Sequence, residues 1–219
     1  MPARERRFPK IIREDEIQKI TDTIIHSSVY ANNKSGTFLK WRDITCIHLL
    51  IRLGLRPLEC INLKWKDIDF EKRLIYIDPY NNKVRNNMPA ILTKPAEDLL
   101  LKYQRALSEM EIKSEYLFPS YWSWKPITRS AFATRFRNIL REAGILKFDH
   151  YDSEGKPKYN YNLYSGRHKF ATDVYTHTKD TTAVKELCRH TQLLSAQFYI
   201  HLDEKQRISI ADDVFSTHN

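Results

Sequence analysis

Three polar residues in the last quarter of the chain, Arg167, His190 and Tyr199, could together carry out chemistry on a phosphodiester. Each sits among apolar neighbours. Phe170, Ala171 and Val174 follow the arginine, Val184 and Leu187 precede the histidine, and Leu193, Leu194, Phe198 and Ile200 surround the tyrosine. Apolar helices of this kind pack together and could bring the three groups to one point. A guanidinium fork holds non-bridging oxygens, an imidazole offers a second donor, and a phenol can attack phosphorus. On residue types alone, three such residues are more often ordinary surface and core side chains.

The spacing is more specific than the types. Arg167-His168-Lys169-Phe170-Ala171-Thr172 resembles the middle of the C-terminal motif of the tyrosine recombinases, the phage-integrase family. That motif reads His-x-x-Arg-His-x-x-Ala-Thr, then Gly-His or a similar pair, then a nucleophilic tyrosine nine residues later. His190 and Tyr199 are nine apart. Tyr164 stands where the family has its first histidine, a Tyr-x-x-Arg pattern similar to integrases of some archaeal viruses and plasmids. Far upstream, Gly54-Leu55-Arg56-Pro57-Leu58-Glu59 resembles the family's first arginine motif, and Leu63-Lys64-Trp65-Lys66-Asp67-Ile68 resembles its continuation.

The resemblance implies a mainly α-helical catalytic domain with a small antiparallel β-sheet, and transesterification at a DNA phosphodiester. In that reading Tyr199 forms a 3′-phosphotyrosine and releases a 5′-hydroxyl. Arg56 and Arg167 clamp the non-bridging oxygens, His190 donates to the phosphate, and Lys83 protonates the leaving oxygen, with Arg85 the competing candidate. Tyr164 joins this catalytic set, and Glu59 supports the arginines from behind. The chemistry conserves bond energy and implies no cofactor and no metal. The partner implied is double-stranded DNA, bound by a homotetramer whose C-terminal tails exchange between protomers through Ile208, Ile210 and Val214. A DNA-binding relative with impaired chemistry and a type IB topoisomerase-like enzyme stay open as alternatives, the first because of the departures from the family at Tyr164 and around Lys83.

The elements that must position these residues follow from pattern. Ile17, Ile20, Ile24 and Ile25 recur at helical spacing after Glu14 and Asp15, whose charge suits a helix start. A polar loop over 31–36 leads to a helix from about Phe38 to Leu53, closed by Gly54. Pro57 suits the first position of the next helix, placing Arg56 at its mouth and Glu59 in its first turn. Residues 74–77 and 83–92 read as strands around a turn, with Pro89 confining the second to an edge. Thr93 caps a helix from Lys94 to about Met110, and Thr128 caps another from Arg129 to Ala143. Arg129, Arg135, Arg137 and Arg141 on that helix would form a basic face for DNA phosphates. The Trp122-Ser123-Trp124-Lys125 loop is either packing or a contact to a DNA strand. Helices carrying Arg167, Thr182 to Arg189, and Tyr199 complete the chain.

The resemblance implies a family-like core over residues 11–201, with an inserted loop or hairpin over 145–161 and a tail over 202–219, in one catalytic domain; the N-terminal core-binding domain usual in the family is expected to be absent, as in either an excised catalytic domain or a minimal member. Lys and Arg outnumber Asp and Glu, 36 against 27, and a net charge of +9 favours a polyanionic partner through counterion release. No apolar run reaches the ~20 residues that span a bilayer. Three scattered cysteines, Cys46, Cys60 and Cys188, suit reduced thiols in an intracellular protein acting on DNA.

Overall fold

The structure, a computed structural model, describes residues 10–78 and 88–189. Helix α1 (Glu14–His26) opens with Glu14, Asp15 and Glu16 in its first turn, and the Arg13 amide donates to Glu16 Oε2 at 2.9 Å. Ile17, Ile20 and Ile24 are buried, whereas Ile25, expected beside them, is exposed. Helix α2 (Lys34–Leu53) starts earlier than the expected Phe38. The Asn33 side chain accepts the Gly36 amide at 2.9 Å, so an N-cap hides inside what reads as a polar loop. Gly54 ends α2 in the left-handed region at φ 59°, and Pro57 opens the short α3 (Pro57–Ile61).

Three two-residue strands, β1 (Ile68–Asp69), β2 (Leu74–Ile75) and β3 (Ala90–Ile91), pair antiparallel in the order β1-β2-β3. Ile68 faces Ile75, and Leu74 faces Ile91. The strands are shorter than expected and β1 is additional. Lys83 and Arg85, between β2 and β3, lie outside the described residues. Helix α4 (Lys94–Glu109) follows Thr93, but the Thr93 hydroxyl does not cap it. It donates to the Arg52 carbonyl at 3.3 Å and ties the start of α4 to the end of α2. Helix α5 (Arg129–Glu142) is capped as expected, Thr128 Oγ accepting the Ala131 amide at 3.2 Å. The expected insertion is a hairpin, β4 (Phe148–Tyr151) with β5 (Pro157–Tyr159). Helices α6 (Ser165–Thr178) and α7 (Thr181–Leu187) follow, α7 stopping short of the expected Arg189.

Helix α2 is the centre of the packing, with α4 and α6 against it and α1 spanning α2 and α5. Phe38, Leu49 and Leu53 from α2, Leu100 and Tyr103 from α4, and Phe132 and Leu140 from α5 share one core. Ala171, Val184 and Cys188 form a smaller core between α6 and α7. Among the described residues no helix is long and apolar enough to cross a membrane.

One half-buried histidine makes stability pH-dependent. Thr21 Oγ donates to the Ile17 carbonyl, so it accepts from His48 Nε2 at 2.9 Å, which suits a neutral imidazole. Burial first, and the charge of Arg52 second, lower His48 to about 4. The unfolded chain therefore binds more protons between the ordinary value of 6.5 and about 4, and stability falls as pH drops through that window. At pH 5 this one group removes about 2 kcal/mol. Thermal melts at pH 7 and pH 5 should show a drop that His48→Gln, which keeps a donor for Thr21, reduces by several degrees. An identical drop in both proteins would remove His48 as a cause.

Candidate active site

The left-handed turn at Gly54 and the N-terminus of α3 place Arg56. Glu59, at the third position of α3, reaches back in a capping box. Its Oε2 accepts the Arg56 amide at 2.8 Å and its Oε1 accepts Arg56 Nη1 at 2.7 Å. The Arg56 side chain keeps 19% of its surface exposed, while that of Glu59 is fully buried. One carboxylate in the first turn thus fixes both the backbone and the guanidinium of the same arginine.

Arg167, on α6, arrives at the same place from the other side. Its Nη1 donates to the Gly54 carbonyl and its Nη2 to the Cys188 carbonyl. Two glycines allow the approach. A Cβ on Gly166 would stand 3.0 Å from the Leu50 main chain, where α6 crosses α2, and one on Gly54 would stand 2.4 Å from the Phe170 ring. Arg56 Nη2 donates to the Arg189 carbonyl at 3.4 Å, so the two arginines grip consecutive carbonyls at the end of α7. Burial, together with the charges of Arg56 and Arg189, lowers Arg167 to about 10, which still leaves it cationic at neutral pH.

A third arginine, not expected from the sequence, completes the cluster. Arg189 is 1% exposed and donates from Nη2 to Glu59 Oε2 at 2.7 Å. Glu59 therefore bridges two guanidiniums, Arg56 on one oxygen and Arg189 on the other. Burial alone would raise the Glu59 carboxyl. The Arg189 charge, the Arg56 amide and the Arg56 guanidinium outweigh it and hold the carboxyl below its usual value. Three cations and one anion leave the cluster positive, which is what a phosphate diester requires. The only hint of Arg189 in the sequence was a charged residue following the apolar Val184 and Cys188.

The other candidates separate. Tyr164 is part-exposed, and its ring lies under the Arg129 guanidinium, 5.7 Å to the centroid. It lines a cleft of about 1170 Å³ between α5, the β4–β5 hairpin and the start of α6, with Arg129, Arg137, His150, Lys158 and Tyr159. Arg167 is not among that cleft's walls. The expected four-arginine face of α5 is three. Arg129, Arg137 and Arg141 are exposed, but Arg135 turns inward. It pairs with the buried Asp43 through Nε and lies 4.5 Å from the Tyr30 ring centroid. Residues 129, 137 and 141 fall on one side of a helix, whereas 135 is about 200° from 137. Trp124 packs on Phe38, while Trp122 is 89% exposed. Asp149 pairs with Lys10 and His150, and Asp152 with Lys158. His190, Tyr199 and the tail from residue 202 lie outside the described residues.

Comparison with known proteins gives a consistent picture. Residues 10–206 match the phage integrase family. The chain is similar to the tyrosine recombinase XerD of Listeria innocua, 24% identical over 202 residues, covering 92% of this chain and 61% of the relative. It is similar to XerH of Campylobacter jejuni, 27% identical over 199 residues, covering 90% of this chain and 49% of the relative. The chain thus spans about half to three fifths of the length of these curated relatives. Its fold is similar to that of the XerH site-specific recombinase bound to difH substrate in a pre-cleavage complex, with a TM-score of 0.69, 21% identity, and coverage of 100% of this chain and 57% of the other.

Proposed function

Because the chain belongs to the phage integrase family, we propose that it is a site-specific recombinase that cleaves and rejoins duplex DNA through a 3′-phosphotyrosine on Tyr199. The observation that carries this reading is the convergence of Arg56 and Arg167. They come from opposite ends of the described chain, yet donate to the carbonyls of adjacent residues in one cationic cluster. A folding role alone does not call for three guanidiniums around a single carboxylate, since unbalanced buried charge is costly. A phosphate in the site supplies the missing anion.

In the reaction, the Tyr199 hydroxyl gives up its proton to solvent and its oxygen attacks phosphorus as the bond to the 5′-oxygen breaks. Arg56 and Arg167 neutralise the non-bridging oxygens, and His190 donates a further hydrogen bond. Lys83 delivers the proton that the departing 5′-oxygen takes up. A 5′-hydroxyl from a second duplex reverses the step, so strands exchange without loss of bond energy. Four protomers on two duplexes, linked by exchanged tails, would perform two such exchanges. Exposed Arg129, Arg137 and Arg141 support phosphate contacts along α5. Tyr164, stacked on Arg129, fits a place beside those contacts.

The test selects the DNA target directly. A pool of nicked duplexes with random flanking sequence is incubated with the protein in EDTA, and DNA that stays attached through denaturing electrophoresis is sequenced. A sequence-enriched covalent adduct is the expected result. Sequence-specific binding without any adduct would instead favour a DNA-binding relative. On the enriched site, Lys83→Ala should slow cleavage at least about tenfold with affinity held within a few fold. A larger loss in Arg85→Ala would move the proton donor to Arg85.

A further inference from the structure

Arg189 has a use that its neighbours define. Its side chain is among the largest fully buried ones in the described chain. Its one hydrogen bond from the guanidinium is to Glu59, and Nε and Nη1 have no hydrogen-bond partner among the described residues. A buried arginine kept as a strut is normally bonded along its whole fork. Among the described residues this one is bonded at Nη2 alone, so what it brings to them is chiefly charge. Its backbone, at φ 53°, is the left-handed turn that ends a helix, as Lys179 is at φ 54° after α6.

What that side chain supplies is charge. Glu59 holds Arg56 through two hydrogen bonds, 2.8 Å from the amide and 2.7 Å from Nη1. Left alone, this pair is neutral, and the carboxylate cancels the arginine it positions. The second guanidinium, 2.7 Å from the other carboxylate oxygen, removes that conflict. Glu59 can then orient Arg56 while Arg189 balances its charge. We infer that Arg189 is a positioning residue of the phosphate site, one that neutralises Glu59 so that the Arg56 charge remains available to the scissile phosphate. This rests on the strand-transfer reading above.

The test compares two substrates on the site enriched from the random pool, one with an ordinary scissile phosphate and one with a neutral methylphosphonate there. Arg189→Met keeps side-chain bulk without charge, and Arg189→Lys keeps charge without the fork. On phosphate, Arg189→Met should cleave about a hundredfold more slowly than the wild type, with DNA affinity within threefold, and Arg189→Lys should recover at least a tenth of the wild-type rate. On methylphosphonate, which removes a negative charge from the substrate, the Arg189→Met defect should shrink to less than tenfold. Equal losses on both substrates would show a structural defect and overturn the inference, as would no loss on either. Should Arg189→Met fail to fold, the double variant Glu59→Gln/Arg189→Met, which removes both buried charges, takes its place. It should then cleave phosphate within tenfold of Glu59→Gln alone; a larger deficit would overturn the inference. Absence of cleavage by the wild type is a different result and counts against the strand-transfer reading itself.

Discussion

Replacing Tyr199 with Phe should abolish the covalent protein–DNA adduct while leaving DNA binding intact. The substitution removes one oxygen and keeps the ring that sits between Leu193, Leu194, Phe198 and Ile200 in sequence. An ordinary phenol has a pKa of about 10, so it attacks only where nearby cations favour the phenolate and neutralise the phosphate. In the proposed site, the cluster of Arg56, Arg167 and Arg189 would provide such a field. With no oxygen to attack, the loss should exceed about ten-thousandfold, since nothing replaces a covalent nucleophile. The measurement is denaturing electrophoresis of end-labelled nicked DNA, alongside a native binding titration. Tyr161, Tyr164 and Tyr175 are the competing phenols. Tyr161 is committed to Glu16, 2.7 Å from its hydroxyl, and burial followed by that carboxylate raises it far above its usual value. An adduct that persists in Tyr199→Phe would show that another residue attacks.

Arg167→Ala should be the most damaging change among the described residues, because it acts on stability and chemistry together. The side chain is 5% exposed and joins the end of α2 to the end of α7 through the Gly54 and Cys188 carbonyls. Truncation leaves both carbonyls buried without this donor, at about 1–3 kcal/mol each. Relief of the buried charge offsets part of that, since burial already lowers Arg167 to about 10. A net loss of roughly 2–4 kcal/mol corresponds to a melting point lower by about 5–15 °C in a domain of this size. Cleavage should fall about a hundredfold to a thousandfold, the scale at which removing a preorganised donor from a developing charge acts. Arg167→Lys separates the two effects. A lysine keeps charge but cannot span two carbonyls, so it should regain binding more than rate. Cleavage by Arg167→Ala within tenfold of wild type, measured well below its melting point, would exclude Arg167 from the site.

Much of the architecture follows from interactions within a few residues, and these are readable in the amino-acid order. Gly54 stops α2 because a left-handed residue is needed there, Pro57 opens α3 where its missing N–H costs nothing, and Thr128 caps α5 through the Ala131 amide. The spacing of Arg56 and Glu59 likewise implies their contact, since positions one turn apart on a helix must meet. The pairing of Arg56 with Arg167 as parts of one site was legible only through motif order, as no local rule connects α3 to α6.

Tertiary structure alone decided what the long side chains do. Arg135 sits in a run of exposed arginines, yet Asp43 from α2 draws it inward. Thr93 precedes a helix as a cap would, but its hydroxyl goes to Arg52 across the α2–α4 contact. Tyr164 lies one turn before Arg167, and its ring points to Arg129 instead. Arg189 adjoins a motif histidine, and only the meeting of α3 with the end of α7 gives it Glu59. In each case the deciding partner is distant in sequence, and a buried charge or hydroxyl must find a partner wherever the fold provides one. Local pattern sets where elements begin and end; the pairing of their polar side chains is settled by which elements pack together.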